Sequence, residues 1–144
     1  MNDTFYVSGE LQIILKDQNG NVKSDVTVPN LIVASGKALI AQRLAGPASV
    51  PSHMALGSSN VSPASGDLSL NSEVARVALT SSTVSGNVIT YSATFAAGVG
   101  TGVLQEAGIF NAGSAGTMLN RTTFATVSKD TLDELTINWN VTIN

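Results

Sequence analysis

The sequence predicts an all-β chain, a single antiparallel β-sandwich or jelly-roll-like domain with one short helix. Three observations carry that expectation. Over 135–144 the residues alternate, with Leu135, Ile137, Trp139, Val141 and Ile143 on one side and Thr136, Asn138, Asn140, Thr142 and Asn144 on the other. Period two marks a half-buried strand, because successive side chains point to opposite faces. The dipeptides Asn19-Gly20 and Gly86-Asn87 separate runs of this kind, as tight hairpins require. Charged residues make up only 12%, about half the usual share of roughly 25%. Ser, Thr, Asn, Gly and Ala take their place, which suits strands and burial against neighbouring subunits.

The elements follow in chain order. Residues 1–9 read as an N-terminal arm that orders on docking, as termini often do, ahead of a single domain over 10–144. Leu11, Ile13 and Leu15 alternate with Gln12 and Ile14, then Asp17-Gln18-Asn19-Gly20 turns the chain into a strand over 22–28. Asn-Gly is expected to supply the positive φ angles of that turn, and Pro29 ends the strand by removing a ladder donor. A helix is predicted over 36–44, with Ser35 as its cap, Leu39, Ile40 and Leu44 on one side and Gly46-Pro47 as its stop. The Ser/Pro/Gly/Asn-rich stretch 47–70 holds one short strand, 53–56, and then a long surface loop from Gly57 to Leu70; loops of that length in a domain are usually functional or disordered. A strand over 74–83 and another over 88–97 flank Ser85-Gly86-Asn87 as a hairpin. Further strands are expected at 103–111 and 118–127, separated by glycine-rich turns.

With 144 residues the chain has the size of one domain and can bury about two-thirds of its unfolded surface. Seven basic against ten acidic residues leave a net charge of −3, and the cations are scattered, so nothing resembles the one-sided basic face that tracks phosphates; no nucleic-acid partner is expected. Cysteine is absent, which removes disulfides, thiolate catalysis and the common structural zinc sites. No apolar run approaches the roughly 18 residues of a membrane span, and the first residues lack the basic and apolar regions of a secretory signal. The expectation is a soluble domain without cofactor or membrane partner.

Motifs that carry chemistry are tested and set aside. His53 is the single histidine; with no cysteine beside it, a strand-edge residue is a better reading than a metal ligand, and no G-x-S-x-G elbow provides a serine for a triad. Gly36-Lys37 invites a phosphate loop, but Leu31 stands where the first glycine belongs and Ala38 where Ser or Thr belongs. Gly98, Gly100 and Gly102 precede no strand-to-helix step, against a dinucleotide fingerprint. Asp130, Asp133 and Glu134, and likewise Asp17 and Asp25, read as solvated turns rather than as a glycosidase carboxylate pair.

Four charges resist that treatment. Glu73 and Arg76 open a strand, Glu106 lies within an apolar strand, and Arg121 follows Met118-Leu119. An unpaired buried charge costs several kcal/mol, so each needs a partner. The candidates are salt bridges at a subunit contact or pairs within the chain on the sandwich surface; as surface pairs they would set register and partner choice more than stability.

Taken together, Asn30-Leu31-Ile32-Val33 with Gly36-Lys37-Ala38-Leu39-Ile40-Ala41, Met54-Ala55-Leu56-Gly57, Leu70 with Glu73 and Arg76, Tyr91-Ser92-Ala93-Thr94-Phe95, Glu106-Ala107-Gly108-Ile109-Phe110-Asn111, Gly116-Thr117-Met118-Leu119 with Arg121, and Leu135-Thr136-Ile137-Asn138-Trp139 resemble a group of small structural proteins of tailed bacteriophages. The resemblance covers roughly residues 11–143. It implies a β-rich virion component without catalytic residues, made in the bacterial cytoplasm. The leading expectation is a capsid decoration (cement) protein on the capsid surface, a homo-oligomer such as a trimer that contacts the major capsid protein. The alternative is a tail, baseplate or fibre component with a host-adhesion surface in the 47–70 loop.

Overall fold

Residues 6–144 are described by the computed structural model. Within them the chain forms β1 (Val7–Lys16), β2 (Val22–Pro29), β3 (Leu31–Ile32), α1 (Ala34–Ala45), β4 (His53–Gly57), β5 (Glu73–Ala78), β6 (Ser81–Ser85), β7 (Val88–Phe95), β8 (Gly102–Phe110), β9 (Met118–Lys129) and β10 (Glu134–Ile143). The strands build two five-stranded antiparallel sheets, in the orders β2-β1-β10-β7-β6 and β3-β9-β8-β4-β5. The chain is therefore all-β with one short helix.

The alternation at the end of the sequence becomes β10, the central strand of the first sheet, paired along its length with β1 and β7. Its apolar face, Leu135, Ile137, Trp139 and Val141, joins Leu11, Ile13, Tyr91 and Phe95 in one cluster. Met54, Leu56, Leu104, Ile109 and Leu119 of the second sheet enter the same cluster, so the two sheets share one core. Each fully buried Leu, Ile or Phe there contributes about 1.5–3 kcal/mol. Trp139 is buried, and its indole Nε1 donates to Asn30 Oδ1 at 2.6 Å, the partner a buried indole needs. On the opposite face of β10 and β7, Thr90 donates to Asn140, Ser92 donates to Asn138, and Thr94 and Thr136 share a hydrogen bond. The uncharged polar residues thus satisfy one another within the sheet.

Several local expectations differ from what the chain does. The stretch 74–83 is two strands in two sheets: β5 pairs with β4 and β6 with β7. The chain crosses at Leu79 and Thr80, whose amides donate to Ser52 O and Ser92 O, making the kind of corner by which strands change sheet. Only β6 and β7 form the expected hairpin, with a positive φ at Gly86, the first central position, as a type II′ turn requires. In the first hairpin Gly20 alone has positive φ, +82°; Asn19 does not. Gly20 N donates to Asp17 O, and Asp17 Oδ1 accepts Asn19 N and Asn21 N, so an Asx turn shapes the loop.

The helix starts two residues earlier than expected, and Ser35 does not cap it. Val33 is the N-cap without a side-chain bond, while Ser35 Oγ donates to Met118 O. Gly36 explains the placement: a Cβ there would collide with the carbonyl oxygen of Leu119, so glycine lets α1 lie against the backbone of β9. Leu39 is buried, but Leu44 is 84% exposed, so the predicted apolar side is only half covered. Of the 1–9 arm, residues 1–5 lie outside the described residues; Val7, Ser8 and Gly9 begin β1 and pair with Ile143, Thr142 and Val141.

Candidate functional site

Two places concentrate unusual chemistry. The first is the face of the second sheet turned away from the shared core. Glu106 pairs in register with Gly57 and Arg121 with Gly108, which puts both side chains on that face. The loop 58–72 covers it, and Val33, Ala55, Leu70, Phe110 and Met118 make a small apolar cluster beside them.

Glu106 and Arg121 are both 0% exposed. Arg121 Nε and Nη2 donate to Glu106 Oε1 at 3.2 and 3.0 Å, and the amide of Asn71 donates to the same oxygen. Glu106 Oε2 accepts the amides of Ser59 and Ser72 at 3.1 and 2.8 Å. Arg121 also donates from Nη1 to Asp67 Oδ2 and from Nη2 to Val61 O. A carboxylate with this many donors and a guanidinium with three acceptors satisfy the condition under which buried charge is tolerated. The network ties both ends and the middle of the loop to the sheet.

Arg76 does the same for the β8–β9 turn. Its Nε and Nη2 donate to Glu73 Oε2 and Oε1, its Nη1 donates to Ala112 O and Ala115 O, and its Cζ stands 3.7 Å from the Phe110 ring centroid. Planar two-point bonding combined with stacking is particular to arginine. All four charges singled out in the sequence are paired within the chain, and Glu106 and Arg121 lie beneath a loop rather than on a surface.

The second place is an apolar groove of about 510 Å³ lined by residues of α1, β6, β7, β9 and β10 together with Val50 and Pro51. Leu44, Val50, Val84, Ile89 and Tyr91 are among its walls. Leu44 is 84%, Val84 72% and Val50 51% exposed. Burial pushes the Tyr91 hydroxyl above its ordinary pKa. Arg43, the cation at the rim, donates to Ala48 O.

The expected solvated turn at 130–134 is more ordered than that reading. Asp133 is buried, accepts Lys23 Nζ at 2.6 Å and the amide of Asp130 at 2.9 Å. Lys129, also buried, donates to Ala96 O. Ser52 Oγ lies 2.8 Å from His53 Nδ1, and His53 Nε2 faces Gly113. No group of three His, Cys, Asp or Glu side chains suited to a metal occurs among the described residues, and no helix there is long and apolar enough to cross a membrane.

Asp67 and the groove had no distinguishing signal in the sequence. Asp67 sits in a polar loop like any solvated acid, and the groove draws its walls from residues spread between Leu39 and Ile143, which only the fold brings together. Comparison with protein-family models, curated proteins and solved structures gives no match.

Proposed function

We propose that this chain is a non-enzymatic structural protein of a bacteriophage virion, a capsid decoration protein that binds the shell as an oligomer and stabilises it. The observation that carries the reading is where charge has gone. Glu73, Arg76, Glu106 and Arg121 are paired inside the chain, whereas the open end of the sandwich-like fold offers Leu44, Val50 and Val84 to an uncharged contact. Interface cores are depleted in charge in the same way.

A tail or baseplate role is the second reading, favoured by the tethered loop 58–72, whose Val61 and Leu68 are 56% and 71% exposed. That loop carries no aromatic residue with which to stack on sugar rings. Gold-labelled antibody against the chain, applied to intact particles of the phage that encodes it, is expected to decorate heads. Label confined to tails supports the second reading, and unlabelled particles overturn both.

A further inference from the structure

We infer that β6 is a self-pairing edge: two copies of this chain join β6 to β6, antiparallel across a twofold axis at Thr83, and bring their two apolar grooves together under one continuous ten-stranded sheet. The inference rests on the reading that the chain works by docking, and it names the partner for one surface.

The four sheet edges differ in how they resist such pairing. Exposed edges are templates for another strand unless blunted by charge, proline or shortness. β2 carries Lys23, Asp25 and Pro29; β5 carries Glu73 and Arg76; β3 has two residues. β6, Ser81-Ser82-Thr83-Val84-Ser85, has none of these devices, and all five residues are exposed. Its composition is also self-complementary. With the axis at Thr83, Ser81 faces Ser85 and Ser82 faces Val84, so no like charges oppose and Thr83 meets its own copy, a favourable cross-strand pair. A twofold contact of one patch with itself is the commonest route to a closed assembly.

Area decides how much must be buried. A five-residue ladder is only about 17 Å long, short of what the roughly 1,000 Å² of a stable interface needs. The groove supplies the remainder. Val84 belongs both to the edge and to the groove wall; it pairs with Ile89, and Ser82 with the core-facing Tyr91, so Val84 points to the side of the sheet where Leu44 and Val50 stand. The copy's Val84, Leu44 and Val50 arrive on that same side, because the axis is perpendicular to the sheet.

The chain has no cysteine, so Thr83→Cys gives an unambiguous probe. Paired Cα atoms in an antiparallel ladder stand about 4.5 or 5.5 Å apart, both within disulfide range. Mild oxidation is expected to convert T83C to a covalent dimer, with Thr27→Cys on the β2 edge as the control that does not. Sedimentation equilibrium of the unmodified chain is expected to show a dimer, and Val84→Lys, a change at an exposed position, to weaken it on the order of tenfold or more with an unchanged circular-dichroism spectrum. A monomer that still decorates capsids overturns self-pairing and leaves the docking reading standing. A dimer indifferent to V84K, with no T83C cross-link, also overturns it. A T83C cross-linked dimer from a phage whose particles carry no label supports self-pairing and removes the capsid role.

Discussion

The covered face of the β3-β9-β8-β4-β5 sheet and the open β6 end of the other sheet treat polarity in opposite ways. Under the loop 58–72, full charges sit out of water because each finds geometry: Glu106 accepts two bonds from Arg121 and three from loop amides. At the β6 end, apolar side chains stay in water, Leu44, Val50 and Val84 among them, and among the described residues Arg43 is the one ion in the groove wall. The first arrangement fixes a loop and offers nothing outward. The second fixes little and leaves apolar surface to be covered. Contrast between the two regions, rather than either alone, separates what holds this chain together from what it has left for a partner.

The sharpest way to break the covered side is Arg121→Met, which strands Glu106 without its guanidinium. Removing one member of a buried pair costs about 3–5 kcal/mol, read as a lower urea midpoint, and the loop 58–72 should become susceptible to proteolysis. The double substitution Glu106→Gln with Arg121→Met is expected to lose less than R121M alone, since an unpaired buried charge is costlier than a neutral pair. Equal losses would mean that the two side chains are not coupled.

Gly36→Ala acts between the two regions. The new methyl would meet the Leu119 carbonyl, and backbone cannot rotate aside as a side chain can. Overpacking of this kind costs about 1–3 kcal/mol, more than the roughly 0.5–1 kcal/mol that alanine contributes to a helix interior over glycine. A melt at or above that of the unmodified chain would show that α1 is free to lift from β9.

These substitutions also mark what could be read before the structure. The strands around Ile137, Trp139 and Val141 were legible because a half-buried antiparallel strand imposes period two on its own sequence. The corner at Leu79 and Thr80 was not, because the bonds that set it come from Ser52 and Ser92, partners that only the fold brings beside it. Ser35 had the chemistry of a cap, but its hydroxyl serves Met118 O, a partner supplied only by packing. Glu106 and Arg121 were conspicuous as ions within apolar runs, and their need for partners was evident. That the partners were each other and Asp67, beneath a loop, depends on register, which composition does not carry.

On the open side the expected effect on folding is small. Leu44→Gln removes an 84% exposed leucine, and surface changes of that kind stay within about ±0.5 kcal/mol. The urea midpoint is expected to be unchanged while binding of a fluorescent apolar dye falls. A large loss of stability would place Leu44 in the core and erase the contrast with Arg121.

The smallest effect belongs to the end of the sandwich-like fold where β1 and β9 finish, a region intermediate between the two. Its hydrogen bond from Lys23 holds Asp133 below the ordinary aspartate value of 3.8, and the Asn21 amide does the same for Asp17. Asp133 in turn raises Lys23 above 10.5, while desolvation lowers Lys129. A depressed carboxylate contributes stability that is present above its unfolded value and is lost as pH falls through the folded one. Acidification below 3.8 should therefore lower the melting temperature. In alkali Lys129, disfavoured as a cation, gains stability as pH rises toward 10.5, and Lys23 loses its contribution as pH rises past 10.5, so the two effects follow one another. Asp133→Asn removes the ionised partner of Lys23, so it should lower the melting temperature modestly in the neutral region and thereby flatten the acid limb, where the unmodified chain loses the same contribution. An acid limb as steep in D133N as in the unmodified chain would assign the loss of stability to other carboxylates and leave the Lys23 bond as surface decoration.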